Sequence, residues 1–322
     1  MPAKTKFEVK LGAATREAFG RALVELGREN KDIVVCDADL SKSTMTSYFA
    51  KEFPDRFISC GIAEANMTAI GAGLAYAGKI PFVSSFSSFA MCKGFEQLRV
   101  CAAYPKLNLK VVGTHSGISI GEDGPSQMSV EETALACALP GFLVLSPADE
   151  SSCKALVREA AAHFGPVFIR TGRVKAPIIY NGDQKFEIGK AIQVVEGKDV
   201  TIIANGLLVA QSILAAETLE GEGISARVLD MHTVKPLDLD AIRRAALETG
   251  AIVVAEEHLV DSGLGVRVAQ AAAEMSPCAM EFVGIHDTYA ESGQPDELLE
   301  KYGLVARGVA AAVRKVLARK RA

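Results

Sequence analysis

The run Cys60-Gly-Ile-Ala-Glu-Ala-Asn-Met67 sets a single carboxylate, Glu64, at the start of an otherwise apolar stretch, residues 65–76, rich in Ala, Gly, Leu, Ile and Met. A carboxylate at such a junction is costly to desolvate unless something partners it. Burial raises its pKa and lets it hold or share a proton, the behaviour of a general acid or base. The same residue also reads as a helix-capping glutamate favoured by the N-terminal dipole. A second candidate is the glycine-punctuated segment Thr114-His-Ser-Gly-Ile-Ser-Ile-Gly-Glu-Asp-Gly-Pro-Ser-Gln-Met128, which carries His115, Glu122, Asp123 and Gln127. It is long for a simple connection, and such loops are more often functional than decorative.

These residues need elements to hold them. Short β-branched runs at residues 33–36, 81–84, 109–112, 142–145 and 167–169 alternate with Ala-rich helical patterns at 15–30, 64–76, 89–103, 130–138 and 150–163. Residues 56–60 read as a further short buried strand ahead of Glu64. The alternation predicts an open, mostly parallel α/β sheet. After Arg173 the pattern breaks, and residues 176–198, with Pro177, Asn181-Gly182 and mixed charge, read as a linker. It then restarts, with strands expected at 200–204, 226–229, 251–255 and 280–283 and helices at 209–219, 239–247, 265–274 and 304–319. The reading is therefore two α/β domains, residues 1–175 and 199–322, both built on open parallel sheets. Ligands in such sheets bind beyond the carboxyl ends of the strands. Asp37, Asp39, Glu64, Ser84–Ser88, Thr114, His115, Arg170 and Arg173 all fall there, and all in the first domain.

Composition narrows the function. The chain has 322 residues, 49% of them hydrophobic, which is ample for two cores. A net charge of −4 with both signs spread along the chain gives no support for a nucleic-acid surface. No uninterrupted apolar run is long enough to span a membrane, and the first ten residues lack the apolar core of a signal peptide. The seven cysteines show neither a Cys-x-x-Cys pair nor a nearby His at zinc spacing, so no metal site is expected. Reduced, buried thiols in a cytoplasmic protein are the expectation.

Taken together, Gly61-Ile-Ala-Glu-Ala-Asn-Met67, Ser84-Ser-Phe-Ser-Ser-Phe89 and the 114–128 loop resemble the transketolases, enzymes that use thiamine diphosphate to transfer two-carbon ketol units. The likeness runs over nearly the whole chain. It includes Ala14-Thr-Arg-Glu-Ala-Phe19, Asp39-Leu-Ser-Lys-Ser-Thr44, Phe168-Ile-Arg-Thr-Gly-Arg173 and Ser292-Gly-Gln-Pro-Asp-Glu-Leu-Leu299. One pattern is absent: the Gly-Asp-Gly…Asn set with which such enzymes hold the cofactor's diphosphate through a metal. The chain resembles the C-terminal half, a pyrimidine-binding domain followed by the family's C-terminal domain. The resemblance thus implies a separately encoded N-terminal subunit that carries the diphosphate site and its Mg²⁺ or Ca²⁺, and an α2β2-type assembly.

The resemblance also implies roles. Glu64 matches the glutamate that hydrogen-bonds a ring nitrogen of the cofactor's aminopyrimidine. Phe86 and Phe89 match aromatics that pack on that ring, with core packing as the other reading. Asp39 and Leu40 match positions near the cofactor's bend, and read equally as a strand-end cap and a core residue. His115 matches a substrate histidine able to hydrogen-bond the donor's hydroxyl or relay a proton. Asp123 matches an aspartate that reads a substrate hydroxyl. Gln127 stands where bacterial and yeast enzymes have histidine, and it can hydrogen-bond but not titrate. Arg16, Ser43 and Arg173 match the ligands of the sugar phosphate. Lys93 stands where split transketolases are expected to have arginine, and its role is left open. His232, His258 and His286 in the second domain read as structural or interface histidines.

The expected activity is ketol transfer between phosphorylated sugars in central pentose metabolism, by this chain and its partner together. Other readings are the β subunit of a 2-oxo acid dehydrogenase E1 component, whose loop lacks Gly-Glu-Asp-Gly-Pro-Ser-Gln, and a 1-deoxyxylulose-5-phosphate-synthase-like enzyme, which carries histidines after that proline. A non-catalytic homologue is the reading from outside enzymology. Joint retention of Glu64, His115, Asp123, Arg16 and Arg173 argues against it.

Overall fold

The computed structural model describes residues 7–320. A seven-stranded sheet runs in the order Thr233–Lys235, Leu143–Leu145, Val167–Arg170, Lys110–Thr114, Ile80–Phe86, Ile33–Asp37, Phe57–Ser59. Every neighbouring pair is parallel except the first, Thr233–Lys235 on Leu143–Leu145. Helices cover both faces, which is why the central strands read as unbroken apolar runs rather than alternating ones. Helices Thr15–Glu29 and Glu150–Ala162 bury Phe19, Leu23, Leu156 and Val157 against one face. Helix Glu64–Tyr76 and the helical segment after it bury Met67, Met91 and Leu98 against the other.

The second sheet has the order Ala279–Ile285, Ala251–Leu259, Val200–Ala204, Ala226–Asp230, Ile192–Val195, parallel but for its last pair. Its helices are Leu208–Glu220, Leu239–Thr249, Leu264–Met275 and Ala306–Lys320. The two-sheet α/β architecture therefore matches the sequence reading.

Four local expectations change. Residues 176–198 are not a bare linker. Lys175–Pro177 pairs antiparallel with Leu11–Ala14, and Ile192–Val195 edges the second sheet. Strand Thr233–Lys235 belongs to the second half in sequence but to the first sheet in space. The strand before Glu64, Phe57–Ser59, is short and only part-buried, because it is the sheet's outer strand. The helix expected over 89–103 forms, but as two π turns, Phe89–Lys93 and Leu98–Ala103, around an α turn, Gly94–Gln97.

All seven cysteines are free thiols, but only Cys36 and Cys153 are fully buried; Cys92 is exposed. Among the described residues no helix is long and apolar enough to cross a membrane.

Candidate active site

Glu64 is the first residue of its helix, after the N-cap Ala63, so the helix dipole favours its charge there as the capping reading expected. The carboxyl is 2% exposed. One oxygen, Oε1, accepts from Ser85 Oγ at a long 3.4 Å, and the other lies 3.5 Å from Lys93 Nζ. Lys93 also stands 4.4 Å over the Phe89 ring. The residue left without a role in the sequence reading is thus the charge partner of Glu64. The first π turn ends at Lys93, and π turns recur at functional sites.

Phe86 ends the strand Ile80–Phe86 and Phe89 begins the π turn, and the two rings stack at 5.6 Å. Phe86 also stacks on His115, with centroids 3.9 Å apart. Leu40 and Phe89 are part-buried and pack against the cluster that contains Phe86, Ile118, Ile120 and Met128. The structure therefore brings Leu40, Phe86, Phe89 and Glu64 to one end of the sheet.

Asp39 is different. It is exposed and left-handed at φ 63°, whereas its neighbour Asp37 is fully buried. Asp37 accepts bonds from Leu40 N at 2.6 Å, Thr44 Oγ1 at 2.7 Å and Thr46 Oγ1 at 2.8 Å. It fixes the short turn Ser41–Thr44 that carries Ser43. Burial pushes the Asp37 pKa up, against those three bonds.

His115 follows the strand Lys110–Thr114 at φ 59° and is 2% exposed. Its Nδ1 pairs with Thr114 Oγ1 at 2.8 Å and its Nε2 lies 3.2 Å from Arg16 Nη1. Burial, then Arg16, then Arg173 push its pKa down to about 3. The ring is therefore a neutral imidazole at neutral pH. This favours hydrogen bonding over the proton relay near pH 7 expected from its type.

Arg16 donates to the Ser43 carbonyl at 2.7 Å, and its Nε is buried with no partner. Burial, then the nearby Arg173 guanidinium, lowers its pKa. Arg173 donates to the Ile120 carbonyl at 2.5 Å and to Glu122 at 3.0 Å. The two guanidinium groups are near enough for one to lower the pKa of the other, and among the described residues Arg16 Nε has no acceptor.

The loop itself is spread out. Asp123 is exposed, next to Glu122, which pairs with Arg173. Gln127 is half-buried; its carbonyl accepts from Ser88 Oγ at 3.1 Å, and its side-chain oxygen accepts from Ser126. Sequence reasoning placed Arg170 at a strand end but missed its buried partners Glu132 and Glu257. Arg170 Nε donates to Glu132 Oε1 at 2.6 Å and its Nη2 to the Glu257 carbonyl at 2.7 Å. Arg170 and Glu257 in β-branched strands and Glu132 at the start of a helix were the available signal. His258 and His232 are buried near this seam and His286 is exposed. Among the described residues no group of three or more His, Cys, Asp or Glu is placed to hold a metal ion.

A buried carboxylate, a stacked aromatic pair and two arginines gathered at one end of a parallel sheet mark a candidate ligand site of an α/β protein. The comparisons specify the class. Residues 12–177 match the family "Transketolase, pyrimidine binding domain" and residues 189–309 match "Transketolase, C-terminal domain". The chain is 41% identical over 315 residues to a 6-deoxy-6-sulfo-D-fructose transketolase subunit from Clostridium sp., covering 98% of each chain. It is 38% identical over 297 residues to an apulose-4-phosphate transketolase subunit from Phocaeicola vulgatus, covering 92% of this chain and 95% of that one. Among solved structures it is similar to a split gene transketolase described as an inactive beta4 tetramer, with 50% identity and a TM-score of 0.90 over 96% of this chain and all of the other. The chain belongs to the transketolase family.

Proposed function

We propose that this chain is the C-terminal subunit of a split, thiamine-diphosphate-dependent transketolase. With a separately encoded subunit it moves a two-carbon ketol unit from a ketose phosphate to an aldose phosphate, in the cytoplasm. The observation that carries the reading is that buried Glu64, held only by long contacts, and the Arg16 and Arg173 guanidinium groups, of which Arg173 is paired with Glu122, lie at the same end of the sheet, one suited to a heterocycle and the others to a phosphate. Relatives named as transketolase subunits, matched nearly end to end, support it.

The donor set fits the cofactor's pyrimidine. Glu64 offers a carboxyl whose own contacts, at 3.4 and 3.5 Å, are long enough to yield to a ring nitrogen. Phe86 and Phe89 offer flat apolar faces, and Leu40 a bulky aliphatic beside them. When bound, the cofactor supplies the carbon nucleophile that cleaves and re-forms the ketose's carbon–carbon bond. This chain's residues do the rest. Glu64 shares a proton with the pyrimidine and so orients it. Neutral His115, with Nδ1 engaged by Thr114 and Nε2 accepting from Arg16, reaches a substrate hydroxyl through Nε2 once Arg16 turns to the phosphate. Arg16 and Arg173 clamp the phosphate, and Ser43 borders them. Gln127 and Asp123 serve as hydrogen-bonding groups of the loop. The diphosphate and its Mg²⁺ or Ca²⁺ fall to the partner, in an α2β2 assembly.

The test is a ketol-transfer assay with xylulose 5-phosphate, ribose 5-phosphate, thiamine diphosphate and Mg²⁺. It is run on this chain alone and mixed with its candidate N-terminal subunit. Turnover only in the mixture is expected; tight cofactor binding by the isolated chain would remove the split-enzyme reading. The beta4 neighbour described as inactive accords with a silent isolated chain. Other ketose phosphates serve as donors if xylulose 5-phosphate is not used. Two relatives act, by name, on a sulfosugar and on apulose 4-phosphate, so the donor is the least constrained part of the reading.

A further inference from the structure

The loop that carries His115 and Gln127 leaves the first sheet at Thr114, runs to the helix Glu132–Ala138, and packs against the second half of the chain. At its roots Ser116 N donates to the Thr171 carbonyl at 3.2 Å, and Gly117 N to the Ser129 carbonyl at 2.7 Å. Between the roots lie three glycines in the left-handed region: Gly117 at φ 80°, Gly121 at 85° and Gly124 at 79°. Each faces a residue of the second half at a distance that admits no side chain. A Cβ on Gly117 would lie 2.1 Å from Glu257 Cδ, one on Gly121 2.9 Å from Pro295, and one on Gly124 2.2 Å from Ser292 Oγ. Polar and apolar contacts continue the seat. Ser119 N donates to Glu257 Oε1 at 2.7 Å. Ile118, Ile120 and Met128 share a core with Leu208, Ile285 and Leu298. Glu257 is itself anchored, its Oε2 being 3.8 Å from Arg170 Nη1. Three independent kinds of contact therefore fix one loop from one side.

We infer that the second half of this chain acts as the mould of the substrate loop. Glu257 is the positioning residue, and Ser292 and Pro295 are the floor that determines where His115 and Gln127 stand. Only the consequence for sugar recognition rests on the transketolase reading; the mechanical coupling does not.

The test is a double-mutant cycle across the Gly124–Ser292 contact, on the full chain. Gly124→Ala places a methyl against Ser292 Oγ and strains the backbone. Ser292→Ala removes the clash but not the strain, so any rescue reports the contact between the halves. Hydrogen exchange of loop amides 118–128 is the first readout. Gly124→Ala is expected to speed it about tenfold or more, and the double variant to return to within about threefold of wild type. Strictly additive behaviour overturns the inference. If Gly124→Ala alone fails to fold and the double variant folds, that is itself the rescue. If neither folds, Glu257→Gln decides. Faster exchange at Ser119 with the rest of the second sheet still protected supports the mould, and unchanged exchange overturns it. With the partner present, KM for the ketose phosphate should rise about tenfold in Gly124→Ala, kcat change less, and Ser292→Ala restore KM. Absence of ketol transfer by the wild-type mixture would count against the proposed function and leave the exchange result standing.

Discussion

The two ends of the strand Lys110–Thr114 treat charge in opposite ways. At its amino end Lys110 is fully buried, yet its ammonium donates to Asn108 Oδ1 at 2.6 Å, the His163 carbonyl at 2.6 Å and the Gly165 carbonyl at 2.7 Å. All three protons of the ammonium are used. At the carboxyl end Glu64 makes only long contacts, Arg16 Nε has no partner, and Arg16 faces Arg173. A saturated buried charge is architecture, because nothing more can bind to it. An unsaturated one leaves room for a ligand, which is the use the proposed function gives it, and the cost of keeping it so is borne by the surrounding fold.

That contrast can be broken from either end. The largest effect is expected from Glu64→Gln, which keeps the shape and removes the shared proton. Turnover of the reconstituted enzyme should fall by roughly a thousandfold with the melting temperature unchanged. Near-normal kcat would take Glu64 out of its role. Lys110→Met should do the reverse. Leaving buried acceptors without a donor costs about 3 kcal/mol by denaturant unfolding, with kcat per folded molecule unaltered. A loss of activity beyond the loss of folded protein would show that the two ends are not independent. Arg173→Lys keeps the charge but gives up the fork, and should raise KM for the sugar phosphate about tenfold, some 1.4 kcal/mol, with kcat nearly constant.

The smallest effect is in pH. His115 titrates near 6.5 unfolded and is held to about 3 in the fold. Between those values the unfolded chain binds more protons, so this group's contribution to stability is present above about pH 6.5 and is lost as the pH falls toward 3. From pH 7.5 to 6.0 wild type should lose about 0.8 kcal/mol that His115→Asn does not. Parallel stability profiles for the two proteins would mean that His115 is more hydrated than its packing indicates.

Most strands and helices of both sheets were legible because the central strands carry β-branched runs and the segments between them are long and rich in Ala and Leu. Helix Glu64–Tyr76 stood in the sequence with its bounds intact. What could not be read was anything that depends on the chain returning to itself. Thr233-Val-Lys235 is too short to declare a strand, and its partner lies some ninety residues away in sequence. The Ile192–Val195 strand hid in a segment whose Gly and charge content reads as linker. At the site, position at the strand ends grouped Glu64, His115 and Arg173, and Arg16 joined them only through the family resemblance. Neither was enough to see that Lys93 faces Glu64, or that Asp37 and not Asp39 is the buried aspartate. Those are consequences of a π turn and of a single left-handed residue.

Thr233–Lys235 covers the outer edge of the first sheet with a strand borrowed from the second half. A protein divided anywhere between residues 178 and 191 would leave Leu143–Leu145 as a bare, apolar edge, a template for sheet-to-sheet aggregation. The two halves are therefore poor candidates for separate expression or for shuffling between enzymes. A gene fission at that point would be selected against at the level of solubility before any question of catalysis arose.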